Sequence, residues 1–251
     1  MRKSFCSLIS FLLFSLLACG ATPAHWYVAP TGNDANDGSK RKPLKTIANA
    51  LQRVNPGDTV FLREGSYGEF VVPTRSGKPG KMITLKSYPG ETARIDGSGL
   101  YIKGWGNALV QLNSIDYMQF ENLHICHAHD SENNTDPEGI YISGTSGNIT
   151  FRGCKVYDIK NDCPLVDAKG DWRSAHAILV LGNNDNTPIR NLLIEKCEIF
   201  EIHSGTSEAF TLAGNGVDFK IQENEVQEGE KMGIIIAGGD NRNPHGDISA
   251  N

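Results

Sequence analysis

A seven-residue strand recurs four times in this chain, and the recurrence limits the folds open to it more than any other feature. The copies are Glu138-Gly-Ile-Tyr-Ile-Ser-Gly144, His176-Ala-Ile-Leu-Val-Leu-Gly182, Glu208-Ala-Phe-Thr-Leu-Ala-Gly214 and Met232-Gly-Ile-Ile-Ile-Ala-Gly238. An aliphatic residue or Phe holds the third and fifth places and Gly the seventh, the alternation of a strand with one face buried. A second series follows: Phe151-Arg-Gly-Cys154-Lys-Val156, Ile194-Glu-Lys-Cys197-Glu-Ile199 and Ile221-Gln-Glu-Asn224-Glu-Val226, with Phe120-Glu-Asn-Leu123-His-Ile125 as a less regular first member. In a stacked solenoid, equivalent residues of successive coils lie about 4.8 Å apart. Cys154 and Cys197 then make a ladder of small buried residues, better read as free thiols than as a disulfide. The intervals are uneven: 31 residues from Leu123 to Cys154, 43 to Cys197 and 27 to Asn224. Propeller blades are longer and more regular, and leucine-rich spacing is absent. Uneven coils with their surplus in loops between Tyr157 and Ala175 and between His127 and Glu138 fit a parallel β-helix.

The rest of the chain frames those coils. Its 251 residues suffice for one core. Pro43 to Val54 carries Ile47, Ala50, Leu51 and Val54 at helical spacing, starts near Lys45 or Thr46, and stops at Asn55-Pro56-Gly57-Asp58. A short amphipathic helix there closes the open end of a solenoid, and Asp58-Thr-Val-Phe-Leu62 reads as the first strand. Arg2 and Lys3 precede an apolar run from Phe5 to Leu17, the pattern of an export leader. Two processing routes stay open. Leu16-Leu17-Ala18-Cys19 resembles a lipobox, which makes Cys19 a lipidation candidate. Cleavage after Ala21 or Ala24 instead releases a soluble protein. The expected divisions are a leader over 1–24, an N-terminal cap over 25–67, and coils over 68–251 that stop without a C-terminal cap. A net charge of −5 provides no basic field for nucleic acid. It also repels an anionic polysaccharide unless local Lys or Arg, or a bound cation, intervenes. Cys126, Cys154, Cys163 and Cys197 show neither CxxC nor zinc-ligand spacing, so no metal–thiolate site is expected from the sequence.

Tyr27-Val-Ala-Pro-Thr-Gly-Asn-Asp-Ala-Asn-Asp-Gly-Ser39, Pro43-Leu-Lys-Thr-Ile47, Pro56-Gly-Asp-Thr-Val60 and Arg63-Glu-Gly-Ser-Tyr67 together carry a resemblance. This block resembles the opening of family nine polysaccharide lyases, within the pectate lyase-like superfamily of right-handed parallel β-helix proteins. Ile83-Thr-Leu-Lys-Ser-Tyr-Pro-Gly90 and Ile95-Asp-Gly97 continue it. The resemblance implies an all-β, single-stranded right-handed parallel β-helix with a short N-terminal capping helix. It also implies a uronan lyase, with a Lys base on one strand and calcium held by an Asp-rich turn one coil later. The matching segment is Ser207-Glu-Ala-Phe-Thr-Leu212, followed by Lys231-Met-Gly-Ile-Ile235. Leu212 and Ala213 stand where the Lys belongs, and Lys231, Met232 and Ile235 replace the Asp residues. The family's catalytic set is therefore not carried over.

Other candidates come from aligning the coils. Glu138, His176 and Glu208 share one place before the strand, and a His between two carboxylates can transfer protons near neutral pH. Asp130, Asp136, Asp162, Asp167 and Asp171 lie in the loops feeding that edge; Asp162, Asp167 and Asp171 are the expected calcium ligands. Lys169 and Arg173 can meet an acidic sugar, and Tyr141, Trp172 and Tyr157 can stack on sugar rings. The functional expectation is an exported, monomeric, lyase-like enzyme on uronate-containing polysaccharide, secreted or anchored at a bacterial cell surface. A non-catalytic, surface glycan-binding β-helix is the alternative.

Overall fold

A computed structural model of the chain describes residues 24–102, 106–132, 134–164, 173–227 and 232–237. The expected leader, with Cys19, lies outside them. Among the described residues no helix is long and apolar enough to cross a membrane.

The chain opens with strand β1 (His25–Val28), helix α1 (Ile47–Arg53), β2 (Thr59–Leu62), β3 (Gly65–Tyr67), β4 (Ile83–Ser87) and β5 (Ala93–Asp96). The coils continue through β6 (Ala108–Asn113), β7 (Asp116–Glu121) and β8 (Leu123–Asp130), then β9 (Glu138–Ser143), β10 (Gly147–Arg152) and β11 (Lys155–Asn161). Next come β12 (His176–Gly182), β13 (Ile189–Glu195) and β14 (Glu198–His203), then β15 (Glu208–Gly214), β16 (Gly216–Gln222), β17 (Glu225–Val226) and β18 (Met232–Ala237). The first strand is thus β1 rather than Asp58–Leu62: Trp26 and Val28 pair in parallel with Val60 and Leu62. Too short to show an alternation, β1 is defined by pairing alone.

Among the described residues every pairing between strands is parallel, and three sheets result. The first runs β1-β2-β4-β7-β10-β13-β16, the second β17-β14-β11-β8-β5-β3, and the third β18-β15-β12-β9-β6. Each coil visits the third, first and second sheets in turn, which is the right-handed parallel β-helix. Inward residues stack in columns. Phe120 and Phe151 are fully buried with ring centroids 4.6 Å apart and planes 7° apart. The strand places picked from the repeat, Ile140, Ile142, Ile178, Val180, Phe210 and Leu212, are all core, whereas Ile234 and Ile236 of the last described coil are 43% and 53% exposed. Cys154 and Cys197 are buried free thiols at the corner between the first and second sheets.

The helix start follows its chemistry. Thr46 caps it, its hydroxyl accepting from Asn49 N–H. The Glu69 carboxylate accepts from the N–H groups of Ile47 and Ala48, which no turn of helix satisfies. Ile47, Ala50 and Leu51 face the core.

Columns of left-handed residues bend the coils, two of them within the strands. Tyr117, Asn148, Asn191 and Asp218 have φ from 50° to 57° at one rung position of the first sheet, and His127, Asp158 and Glu201 have φ from 53° to 60° in the second. Such a residue breaks the period of two and bulges the strand. For this reason β8 and β11 run on to Asp130 and Asn161. The sequence alternation fails at His127 and Asp158, so their surroundings read as loop.

Candidate functional site

The connections β5–β6, β8–β9, β11–β12 and β14–β15 each leave the second sheet and enter the third, so the starts of β9, β12 and β15 form one edge beside them. His176 is the register partner of Glu138. Ile178 pairs with Phe210 two residues on, which brings Glu208 onto the same rung position. The expected column therefore exists. Its members differ in environment: Glu138 and His176 are buried, and Glu208 is half-buried.

Two residues outside the aligned column complete it. His176 Nδ1 lies 2.9 Å from Asp136 Oδ1, and Nε2 lies 2.8 Å from Ser207 Oγ. The Ser207 hydroxyl lies within donating distance, 3.0 Å, of Glu208 Oε2, and Thr211 Oγ1 donates to the same oxygen at 3.1 Å. A carboxylate only accepts, so the Nδ1 proton points at Asp136. Nε2 then accepts from Ser207, or donates to it once the ring carries both protons. The line Asp136–His176–Ser207–Glu208 is a chain of hydrogen-bonding contacts from a buried carboxylate to a half-buried hydroxyl and carboxylate.

The path is held by its loop. Buried Asn161 donates from Nδ2 to the Glu132 and Thr135 carbonyls, at 3.0 and 3.1 Å, and to Thr135 Oγ1 at 2.9 Å. Pinning Thr135 fixes the next residue, Asp136, which is 1% exposed. On the other side Thr206 N–H donates to the Arg173 carbonyl, which sets the turn leading into Ser207. Glu138 is the least satisfied member: among the described residues its Oε1 accepts a long bond, 3.3 Å, from Gly106 N–H, and its buried Oε2 has no partner. Burial, joined by the Asp136 charge, pushes its carboxyl well above the usual carboxylate range.

The remaining expectations divide. Tyr141 is half-buried and points outward, packed beside Gly106. Tyr157 stacks on Phe200, centroids 4.8 Å apart, on the outer face of the second sheet. Arg173 Nη1 donates to the Cys163 carbonyl, while its buried Nε has no partner among the described residues. Asp162 is exposed at the end of β11, its carboxylate 3.8 Å from Lys160 Nζ. Lys169, Trp172, Asp167 and Asp171 lie outside the described residues. Asp136, expected in the loop group, is instead drawn away to His176. Beside Asp162 opens a cleft of about 260 Å³ lined by Tyr101, His129, Asp130 and Glu132 among others. Asp130 Oδ2 is buried and has no partner among the described residues. Ser207 escaped the sequence reading because its neighbour Glu208 carried the alignment; a hydroxyl abutting an aligned His and Glu was the available signal.

Residues 26–188 match a family described as Pel9A-like, right handed beta helix region. Similar proteins include uncharacterized protein YwoF of Bacillus subtilis, 31% identical over 212 residues, covering 84% of this chain and 43% of that protein. Pectate lyase PEL9 of Emericella nidulans is 26% identical over 150 residues, covering 55% of this chain and 35% of its own. The chain thus spans less than half the length of these relatives. Among solved structures, GH136 lacto-N-biosidase from Eubacterium ramulus superposes with a TM-score of 0.58 at 18% identity, over 76% of this chain and 35% of that one. A rhamnogalacturonan lyase gives 0.54 at 14% identity, over 86% and 62%. At such identities the likeness is one of fold.

Proposed function

Because the chain belongs to the family of Pel9A-like right-handed β-helix proteins, we propose that it is an exported protein that engages uronate-containing polysaccharide along the third-sheet edge and cleaves it eliminatively. The observation that carries this reading is the line Asp136–His176–Ser207–Glu208. Elimination needs a proton acceptor beside the uronate carboxylate and positive charge on that carboxylate. Ser207 is the end of the line that substrate meets. The carbon beside the carboxylate gives its proton to the Ser207 oxygen as the Ser207 hydroxyl proton passes to His176, the freed electron pair forms the ring double bond, the bond to the glycosidic oxygen breaks, and solvent protonates the departing oxygen; Asp136 holds the His176 ring in the required tautomer. Neutral Glu138 keeps a second negative charge away from His176 and from an acidic sugar. Arg173 and Lys169 supply positive charge, and Tyr141 and Trp172 supply stacking surfaces. Calcium bound by Asp162, Asp167 and Asp171 would add charge at the uronate carboxylate; the orphaned Asp130 oxygen beside Asp162 fits an oxygen-seeking cation. Among relatives, the name of PEL9 records pectate cleavage.

One observation favours the alternative of a non-catalytic glycan platform. Leu212, where the resemblance calls for a basic Lys, is fully buried in the core. The test is incubation of the full chain with a panel of uronans, with and without calcium, read as the ultraviolet absorbance of unsaturated products. The expected result is product from at least one uronan and a loss of about a hundredfold or more in rate for His176→Ala. Binding without product on every uronan supports the platform; neither binding nor product overturns both.

A further inference from the structure

The second sheet carries, on its outer face, a group of side chains that the polysaccharide reading does not use. Asp96, Cys126 and His127 each offer one ligand atom, and the three atoms lie within 4.8 Å of one another. We propose that these three residues form a binding site for a divalent transition-metal ion of the zinc type, separate from the polysaccharide edge.

The backbone accounts for the convergence. Asp96 is the register partner of Cys126 on the neighbouring strand, so their side chains leave the same face. In a regular strand the next residue, His127, would point to the opposite face. Its left-handed conformation, φ 60°, keeps the ring on the side of Cys126 instead. A hydrogen bond from His127 Nδ1 to Asp96 Oδ1, at 2.8 Å, explains those two residues without a metal. It does not explain a thiol delivered to the same point, nor the surroundings of the other ring nitrogen. His127 Nε2 lies 3.7 Å from Asp158 Oδ2, and Asp158 is itself the left-handed residue of the next coil. When Nδ1 binds a metal, the Nε2 proton faces this carboxylate, the outer support that ligating histidines usually have. His129 Nε2, 2.9 Å from the same oxygen, holds Asp158 in place.

The donor set selects the ion. Sulfur, nitrogen and oxygen from three residues suit four-coordinate zinc or cobalt with one open position, and do not suit calcium or magnesium. Asp96 is ready as an anion: burial opposes its charge, but hydrogen bonds from His127 and Ser98 outweigh that and bring its pKa down to about 2. The Cys126 thiol is not: burial pushes it up to about 11, with the Tyr157 hydroxyl, Asp96, Asp158 and Arg94 around it. The ion must displace the thiol proton, so binding strengthens as pH rises.

The test is titration of the full chain with Co²⁺ in a thiol-free reductant. The expected result is one equivalent bound with a thiolate-to-cobalt charge-transfer band and tetrahedral visible bands, both removed by Zn²⁺. Cys126→Ser abolishes the charge-transfer band, and Cys154→Ser leaves it unchanged. Asp96→Asn, at a partly exposed position that leaves the core intact, weakens binding about tenfold or more and carries the test if Cys126→Ser does not fold. Absence of the band, its survival in Cys126→Ser, or unchanged affinity in Asp96→Asn overturns the site. None of these readouts depends on polysaccharide.

Discussion

Glu138 joins the strand, the edge and the chemistry in one side chain. It is fully buried, and one of its oxygens has no partner among the described residues. Its folded-state pKa lies well above the ordinary 4.5, first through burial and then through the Asp136 charge. Below pH 4.5 the folded and unfolded chains both hold the proton, and stability is undiminished. Above it the unfolded chain ionises while the folded one resists, so stability falls as pH rises towards the folded pKa. Melting curves of wild type and Glu138→Gln between pH 4 and pH 8 check this. The variant should show a flatter fall in Tm across that range, and equal slopes would rule the effect out. The column containing Glu138 was legible in the sequence because strand period and coil spacing put Glu138, His176 and Glu208 at one place. Asp136 and Ser207 were not, because each reaches His176 from a turn residue outside the period. Turn conformation depends on bonds such as Asn161 to Thr135, which link distant positions.

Elements were legible where their residues alternate and obscure where left-handed residues interrupt. The strands β9, β12 and β15 and helix α1 follow from spacing and caps. The far halves of β8 and β11 were hidden by His127 and Asp158, whose φ of 60° and 53° reverses the facing of the residues after them. Stacking between coils holds these elements together. Phe120 and Phe151 are the clearest case, both at 0% exposure with rings nearly parallel. Truncating one leaves a cavity that rigid neighbouring coils cannot close. Phe151→Ala is expected to cost about 3–5 kcal/mol in denaturant unfolding and Phe151→Leu clearly less. Equal losses would mean that this column does not bear the packing described.

At the scale of the molecule, the fold separates two outer faces. The third-sheet edge carries the hydrogen-bonded line Asp136–His176–Ser207–Glu208, and the second sheet presents the Asp96–Cys126–His127 group. The architecture was legible because a solenoid repeats its instructions in every coil. The chemistry was not, because it sits where coils differ: in the turns before β9, β12 and β15 and in the bulges. The central claim is that polysaccharide is engaged at the edge where Asp136 and Ser207 hold His176. The most direct measurement is a ¹H–¹⁵N spectrum of the imidazole nitrogens, assigned with His176→Gln, recorded with and without uronate oligosaccharide. The account predicts that the His176 signals move on addition of the sugar while those of His127 stay in place. Unmoved His176 signals, with the oligosaccharide bound elsewhere or not bound, would contradict it.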